Sequence, residues 1–323
     1  KAVERAGATI INTGIGWHEA RVPTIATSVP RGAFGWVTQK MRKELRAAGL
    51  TIPLITSNRI NMPEVAEALL AEGCADMVSM ARPLLADAEF VKKAASHRRD
   101  EINTCIACNQ ACLDHTFKSQ LASCLVNPRA GHETTLILKR ASASRRIAVV
   151  GAGPAGLATA TALAERGHEV HLFEAAAQIG GQFNMARRVP GKEEFSETLR
   201  YFTRRIAITG AQLHLSQRIT AAELIARRFD EVVLATGVSP RLPPIPGVTG
   251  ANVLSYVDVL LHGAPVGERV VIIGAGGIGF DVAEFLVTAP GESPTLNLPE
   301  WLAEWGVADP ARVRGGVVAA RPA

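Results

Sequence analysis

The sequence predicts an α/β protein built on parallel strands, and three observations carry that reading. Short apolar strands alternate with helical patterns over residues 1–100, four cysteines crowd into the segment that follows, and from Ile147 the pattern restarts, twice, as strand, glycine turn and helix.

In the first part Thr9–Thr13, Ile52–Thr56 and Asp76–Met80 read as strands, and Met62–Glu72 and Asp87–Ala95 as helices. Each strand runs into a segment rich in charge or glycine, Gly14–Arg21, Ser57–Asn61 and Ala81–Pro83, and β/α proteins place their chemistry on such loops. Three strands cannot close a barrel; if this is barrel sequence, most of the barrel lies upstream of Lys1. His18, in Trp17-His18-Glu19-Ala20-Arg21, suits a proton donor or orienting partner as readily as an ordinary hydrogen-bonded loop residue. Arg59 and Arg82 follow the next two strands in the same relation. Converging guanidiniums there suit a flavin phosphate or a negatively charged reduced ring, and the alternative is a surface ion pair of little worth.

A chain of 323 residues, 47% of them hydrophobic, is long enough for a sizeable core in two or three domains. Its net charge of +5 is scattered, and the densest basic stretch, Arg140–Arg146, reads as a connector, so nucleic-acid binding is not expected. The apolar run Ile147–Ala164 is divided by Gly151, Gly153, Pro154 and Gly156 into a strand and a helix, so no membrane span is expected either. No charged and apolar leader opens the sequence, and the crowded cysteines favour a cytoplasmic metal site over a disulfide framework.

Cys105, Cys108, Cys112 and Cys124 have two, three and eleven residues between them. Thiolates at this density repel one another unless a cation or cluster holds them. Structural zinc more often uses paired C-x-x-C knuckles, so the spacing favours an iron–sulfur cluster over tetrahedral zinc, with reduced structural cysteines third. Cys74, next to a strand, reads as buried packing.

Gly151-Ala152-Gly153-Pro154-Ala155-Gly156 fits G-x-G-x-x-G between a strand and the helix Pro154–Arg166. The next strand, Glu169–Phe173, ends at Glu174, where a ribose acceptor is expected. The first glycine turns the chain, the second lets the backbone approach a pyrophosphate, the third lets helix and strand pack closely, and the helix N-terminus offers N–H groups to phosphate. A further strand, Glu231–Ala235, leads into a proline-rich connector, and Arg269–Ile273 into a second turn, Gly274-Ala275-Gly276-Gly277-Ile278-Gly279. The second turn lacks the acidic acceptor, and close packing alone is its alternative reading.

Taken in order, these features resemble the bacterial 2,4-dienoyl-CoA reductases, relatives of trimethylamine dehydrogenase and the old yellow enzyme barrel. The residues carrying the likeness are 14–21, Ser57-Asn58-Arg59-Ile60-Asn61, Ser79-Met80-Ala81-Arg82-Pro83, Cys105 through Arg129, Gly180-Gly181-Gln182-Phe183 and Pro190 through Phe195. The resemblance implies the C-terminal part of an FMN-binding TIM (β/α)8 barrel at 1–100, an iron–sulfur segment and linker at 101–146, a Rossmann-like FAD-binding domain at 147–265, and the start of an NAD(P)H-binding domain at 266–323.

It implies FMN beside Arg59, Ala81 and Arg82, and an acyl-CoA thioester facing His18, Glu19, Ala20 and Arg21. It implies FAD on Gly151, Gly153, Pro154, Ala155 and Gly156, with Glu174, Gln182 and Lys192 nearby, and NADPH on Gly274, Gly276 and Gly279. Cys105, Cys108, Cys112 and Cys124 would then hold a 4Fe-4S cluster, and electrons would pass from NADPH to FAD, singly through the cluster to FMN, and on to the conjugated thioester in fatty acid beta-oxidation. The family's catalytic tyrosine, assisted by a histidine matching His18, falls upstream of Lys1, and Tyr201 and Tyr256 sit in the wrong domain to replace it. Past Gly315-Gly316 the likeness fades, and NADPH over NADH rests on analogy. This chain alone is therefore expected to lack dienoyl-CoA reductase activity. The alternatives are a non-catalytic flavin- and cluster-binding fragment and an amine oxidiser like trimethylamine dehydrogenase; a second nucleotide turn argues for pyridine-nucleotide input and hence reduction. Oligomeric state stays open, a monomer included.

Overall fold

The computed structural model describes residues 1–289, 291 and 293–318, and the chain divides into two compact units, Lys1–Glu133 with Ser293–Ala323, and Thr134–Glu292.

The first unit holds a parallel sheet of β1 (Ile11–Thr13), β2 (Leu54–Thr56) and β3 (Met77–Val78), in that order. The strands are shorter than the apolar pattern suggested. Asp76 fastens the last two: its Oδ2 accepts the Leu54 N–H at 2.9 Å, and Arg42 and Arg46 pair with it at 3.0 and 3.3 Å. The Leu54 hydrogen bond, then the two guanidiniums, outweigh desolvation and hold this carboxyl below the usual carboxylate range. A depressed folded value stabilises the fold above the unfolded carboxyl's pKa of about 4. That contribution is lost as pH falls through the depressed value. Asp76→Asn should therefore lower stability near neutrality by about 1–3 kcal/mol and flatten the acid limb of a urea-midpoint against pH curve.

Helices Gly35–Ala47 and Pro63–Ala71 connect the strands. The expected helix over 87–95 begins only at Phe90, as Phe90–Ala95, and a separate short helix, Arg82–Ala86, precedes it; between them Asp87 takes an extended backbone and its buried carboxylate receives the N–H groups of Glu89 and Asn103 and the Lys93 ammonium. Cys74 is 3% exposed and packs with Ile60, Ala66 and Leu69. One core is closed from the far end of the chain: Trp301, on helix Leu298–Glu304, is 1% exposed and meets the Phe34 ring edge-on, centroids 6.1 Å apart. The last segment expected in a nicotinamide-binding domain thus clusters partly with the first unit.

The second unit is a four-stranded parallel sheet in the order β6-β5-β4-β7, with β4 (Arg146–Val150) and β5 (Glu169–Phe173) central, flanked by β6 (Gln212–His214) and β7 (Glu231–Leu234). Val149, Leu157, Val170, Leu172 and Ile206 form its core between the sheet and helices Pro154–Glu165 and Phe195–Thr209. The expected strand Arg269–Ile273 is a correction: no described residue pairs with it, and Val271 is 89% exposed. An apolar run becomes a strand only where a neighbour takes its N–H and C=O groups. Among the described residues no helix is long and apolar enough to cross a membrane.

Candidate functional site

Loops after β1, β2 and β3 make a cleft of about 230 Å³ lined by Ile25, Ser57–Asn61, Ser79–Pro83 and Cys105. It is smaller than the roughly 300–1,000 Å³ of complete small-molecule sites, as three strands offer only part of a barrel rim. Arg59, Ala81 and Arg82 all line it. Arg59 is 5% exposed and its Nε donates to the Val29 carbonyl at 2.8 Å. Asn58, which sequence reasoning gave no role, holds the rim together: its side chain accepts from the Ile15 N–H at 3.2 Å and donates to the Ile15 carbonyl at 2.9 Å. It does so at a positive φ of 74°, a conformation asparagine tolerates.

His18 does not line this cleft. Its ring contacts those of Trp17, centroids 4.2 Å apart, and Phe117, at 4.8 Å, and its Nε2 stands 3.9 Å from Glu19. Glu19 and Arg21 are exposed.

All four predicted cysteines line one pocket, with Arg82, Ile106, Asn109 and Val126 among its walls. Arg82 and Cys105 line the cleft as well. No three His, Cys, Asp or Glu side chains among the described residues stand close enough to grip a single metal ion. Burial pushes the Cys105 and Cys108 thiols up and that of Cys124 up to about 11. Against this, the Arg82 and Arg59 charges and the Ala107 N–H act on the Cys105 sulfur, the Gln110 N–H on Cys108, and the Val126 and Asn127 N–H groups on Cys124. Ala107 and Asn109 flank Cys108 with φ of 54° and 61°.

In the second unit the first turn leads from β4 into its helix as expected. A Cβ on Gly151 would strike the Ala235 carbonyl at 2.3 Å, and one on Gly156 the Gly151 carbonyl at 1.8 Å. Gly153 is different: its backbone is extended at φ −73°, and a Cβ there would meet only the Gly181 Cα, at 4.0 Å. The protein itself gives no reason for glycine at that point, which is what a backbone left open to a ligand requires. Pro154 and Ala155 open the helix. Glu174 holds the turn, Oε2 accepting from the Ala152 N–H at 2.7 Å and Oε1 from Ala176 at 2.9 Å. Gln182 is exposed beside Gly181, while Lys192 is engaged elsewhere, both oxygens of Asp281 lying 2.6 Å from its Nζ.

The second turn repeats the first: a Cβ on Gly279 would lie 2.2 Å from the Gly274 carbonyl, and nothing stands within 4 Å of one on Gly276.

Residues 1–101 match the NADH:flavin oxidoreductase / NADH oxidase family, and residues 131–199 and 145–297 the pyridine nucleotide-disulphide oxidoreductases. A metal reductase of Desulforamulus reducens is 39% identical over 92% of this chain and 44% of its own length, and a bilirubin reductase of Mediterraneibacter gnavus is 31% identical over 94% and 47%. The chain thus spans less than half the length of these curated relatives. The solved structure of a 2-naphthoyl-CoA reductase in complex with 2-naphthoyl-CoA superposes with a TM-score of 0.81 at 33% identity, over 86% of this chain and 42% of that one. Two family matches, one over each unit, put this chain among the proteins that join an NADH:flavin oxidoreductase / NADH oxidase part to a pyridine nucleotide-disulphide oxidoreductase part.

Proposed function

We propose that the chain serves NADPH-dependent reduction of 2,4-dienoyl-CoA thioesters. In this reading Arg59, Ala81 and Arg82 hold FMN, the cysteine quartet holds a 4Fe-4S cluster, and the two glycine turns hold FAD and NADPH. The observation that carries it is the sharing of Arg82 and Cys105 between the thiol pocket and the strand-end cleft, so that a cluster and a flavin held there would be neighbours.

The residues suit these groups. Four thiols around one pocket, spaced by two, three and eleven residues rather than as paired C-x-x-C knuckles, suit a multi-atom cluster better than one zinc ion. Backbone N–H groups at three of the sulfurs and the guanidinium of Arg82 would offset the negative charge of a thiolate-ligated cluster. When bound, a flavin accepts a hydride pair and a cluster carries single electrons, so the set converts one into the other. His18, whose ring contacts those of Trp17 and Phe117, would in this reading orient or protonate a thioester lying against that loop. The conjugated acyl-CoA class is supported by the likeness to the naphthoyl-CoA enzyme and by the sequence stretches at 14–21 and 57–61.

The test is anaerobic turnover of hexa-2,4-dienoyl-CoA with NADPH, using the chain together with whatever flanking coding sequence its gene carries. Consumption of both in equal amounts is expected. Oxidation of a methylated amine without NADPH, or NADPH consumption that leaves the dienoyl absorbance intact, would overturn the reading.

A further inference from the structure

The pocket and the cleft meet at one guanidinium, and a residue from inside the cysteine quartet holds it. Nη1 of Arg82 donates to the Asn109 Oδ1 at 2.5 Å and to the Ile25 carbonyl at 2.8 Å, while the Asn109 side-chain amide reaches the same carbonyl at 3.5 Å. Three elements far apart in sequence thus converge: the loop after β1, the start of helix Arg82–Ala86, and the turn between Cys108 and Cys112. Thr27 adds a second tie from that loop to the cysteine segment, donating to the Ile106 carbonyl at 2.9 Å. Asn109 keeps this position at φ 61°, a conformation asparagine accepts more readily than most residues.

We infer that Asn109 is a positioning residue, fixing the Arg82 guanidinium between cleft and thiol pocket so that one side chain serves both flavin retention and cluster potential. Both hydrogen bonds use Nη1, which leaves the N–H groups on Nε and Nη2 to an anion in the cleft. The same charge acts on the Cys105 sulfur. A guanidinium held there favours the more negative, reduced state of a cluster, so releasing it makes reduction harder. The inference rests on the flavin and cluster assignments proposed above.

The experiment takes the chain together with the flanking coding sequence its gene carries and compares it with its Asn109→Ala and Asn109→Asp variants, each reconstituted anaerobically with iron, sulfide and FMN. FMN affinity is read by fluorescence quenching, and cluster potential by an EPR-monitored titration. Asn109→Ala should keep its iron, bind FMN about tenfold more weakly, as loss of one charge-assisted hydrogen bond implies, and show a lower cluster potential. Asn109→Asp still offers Arg82 an acceptor, so FMN binding should stay near wild type while its added negative charge lowers the potential. Unchanged FMN affinity and potential in Asn109→Ala would overturn the inference, as would equal loss of iron and FMN in both variants. A wild-type chain that takes up iron and sulfide but no FMN, or neither, would overturn the function proposed above and this inference with it.

Discussion

Purified without oxygen, Cys105→Ala protein is expected to contain almost no iron or acid-labile sulfide, where the unsubstituted chain should carry about four irons, and to bind FAD as the unsubstituted chain should. Cys105 is the thiol with most invested in the site: it is 8% exposed, it faces both pocket and cleft, and the Arg82 and Arg59 charges act on it. Its carbonyl is also tied to Asn61 at 2.9 Å, so the backbone persists when the sulfur goes. Three remaining thiols leave one corner of a cluster without a ligand in a pocket that offers no carboxylate or imidazole to replace it. Cys74→Ala, in a separate apolar cluster, should leave iron untouched. One zinc per chain in the wild type, or full iron in Cys105→Ala, would remove the electron-relay reading.

Gly153→Val should release FAD while the second unit still folds. Its ordinary φ and open surroundings admit the first side-chain atom, whereas a valine would cover the N–H groups that the helix Pro154–Glu165 turns toward a pyrophosphate. Losing two charge-assisted hydrogen bonds implies affinity lower by on the order of a hundredfold. Gly156→Val is the contrasting variant, because its Cβ would overlap the Gly151 carbonyl at 1.8 Å and unfold the turn itself. Chromatography of flavin released by denaturation, beside thermal melts, separates the two effects. Normal FAD content in a well-folded Gly153→Val protein would sink the assignment.

What the sequence made legible is what short spacing controls. The strand Glu169–Phe173, the helix opening at Pro154, the turn at Gly151–Gly156 and the grouping of four cysteines all depend on neighbours within about twenty residues. The bonds that assemble the site do not: Asn58 to Ile15, Arg82 to Asn109 and Lys192 to Asp281 join residues whose proximity exists only after folding. Arg269–Ile273 failed for the complementary reason. Its composition is that of a strand, but a strand is a relation between two segments, and no described residue supplies the second.

The burial of Trp301 against Phe34 bears on how the chain is made. The second unit is inserted within the sequence of the first, so on the ribosome residues 134–292 emerge whole and can close on themselves at once. The earlier residues must wait for tryptophan from near the opposite end, with the loop-closure entropy and slow, long-range search that such a contact imposes. Synthesis order and folding order therefore run against each other at this core.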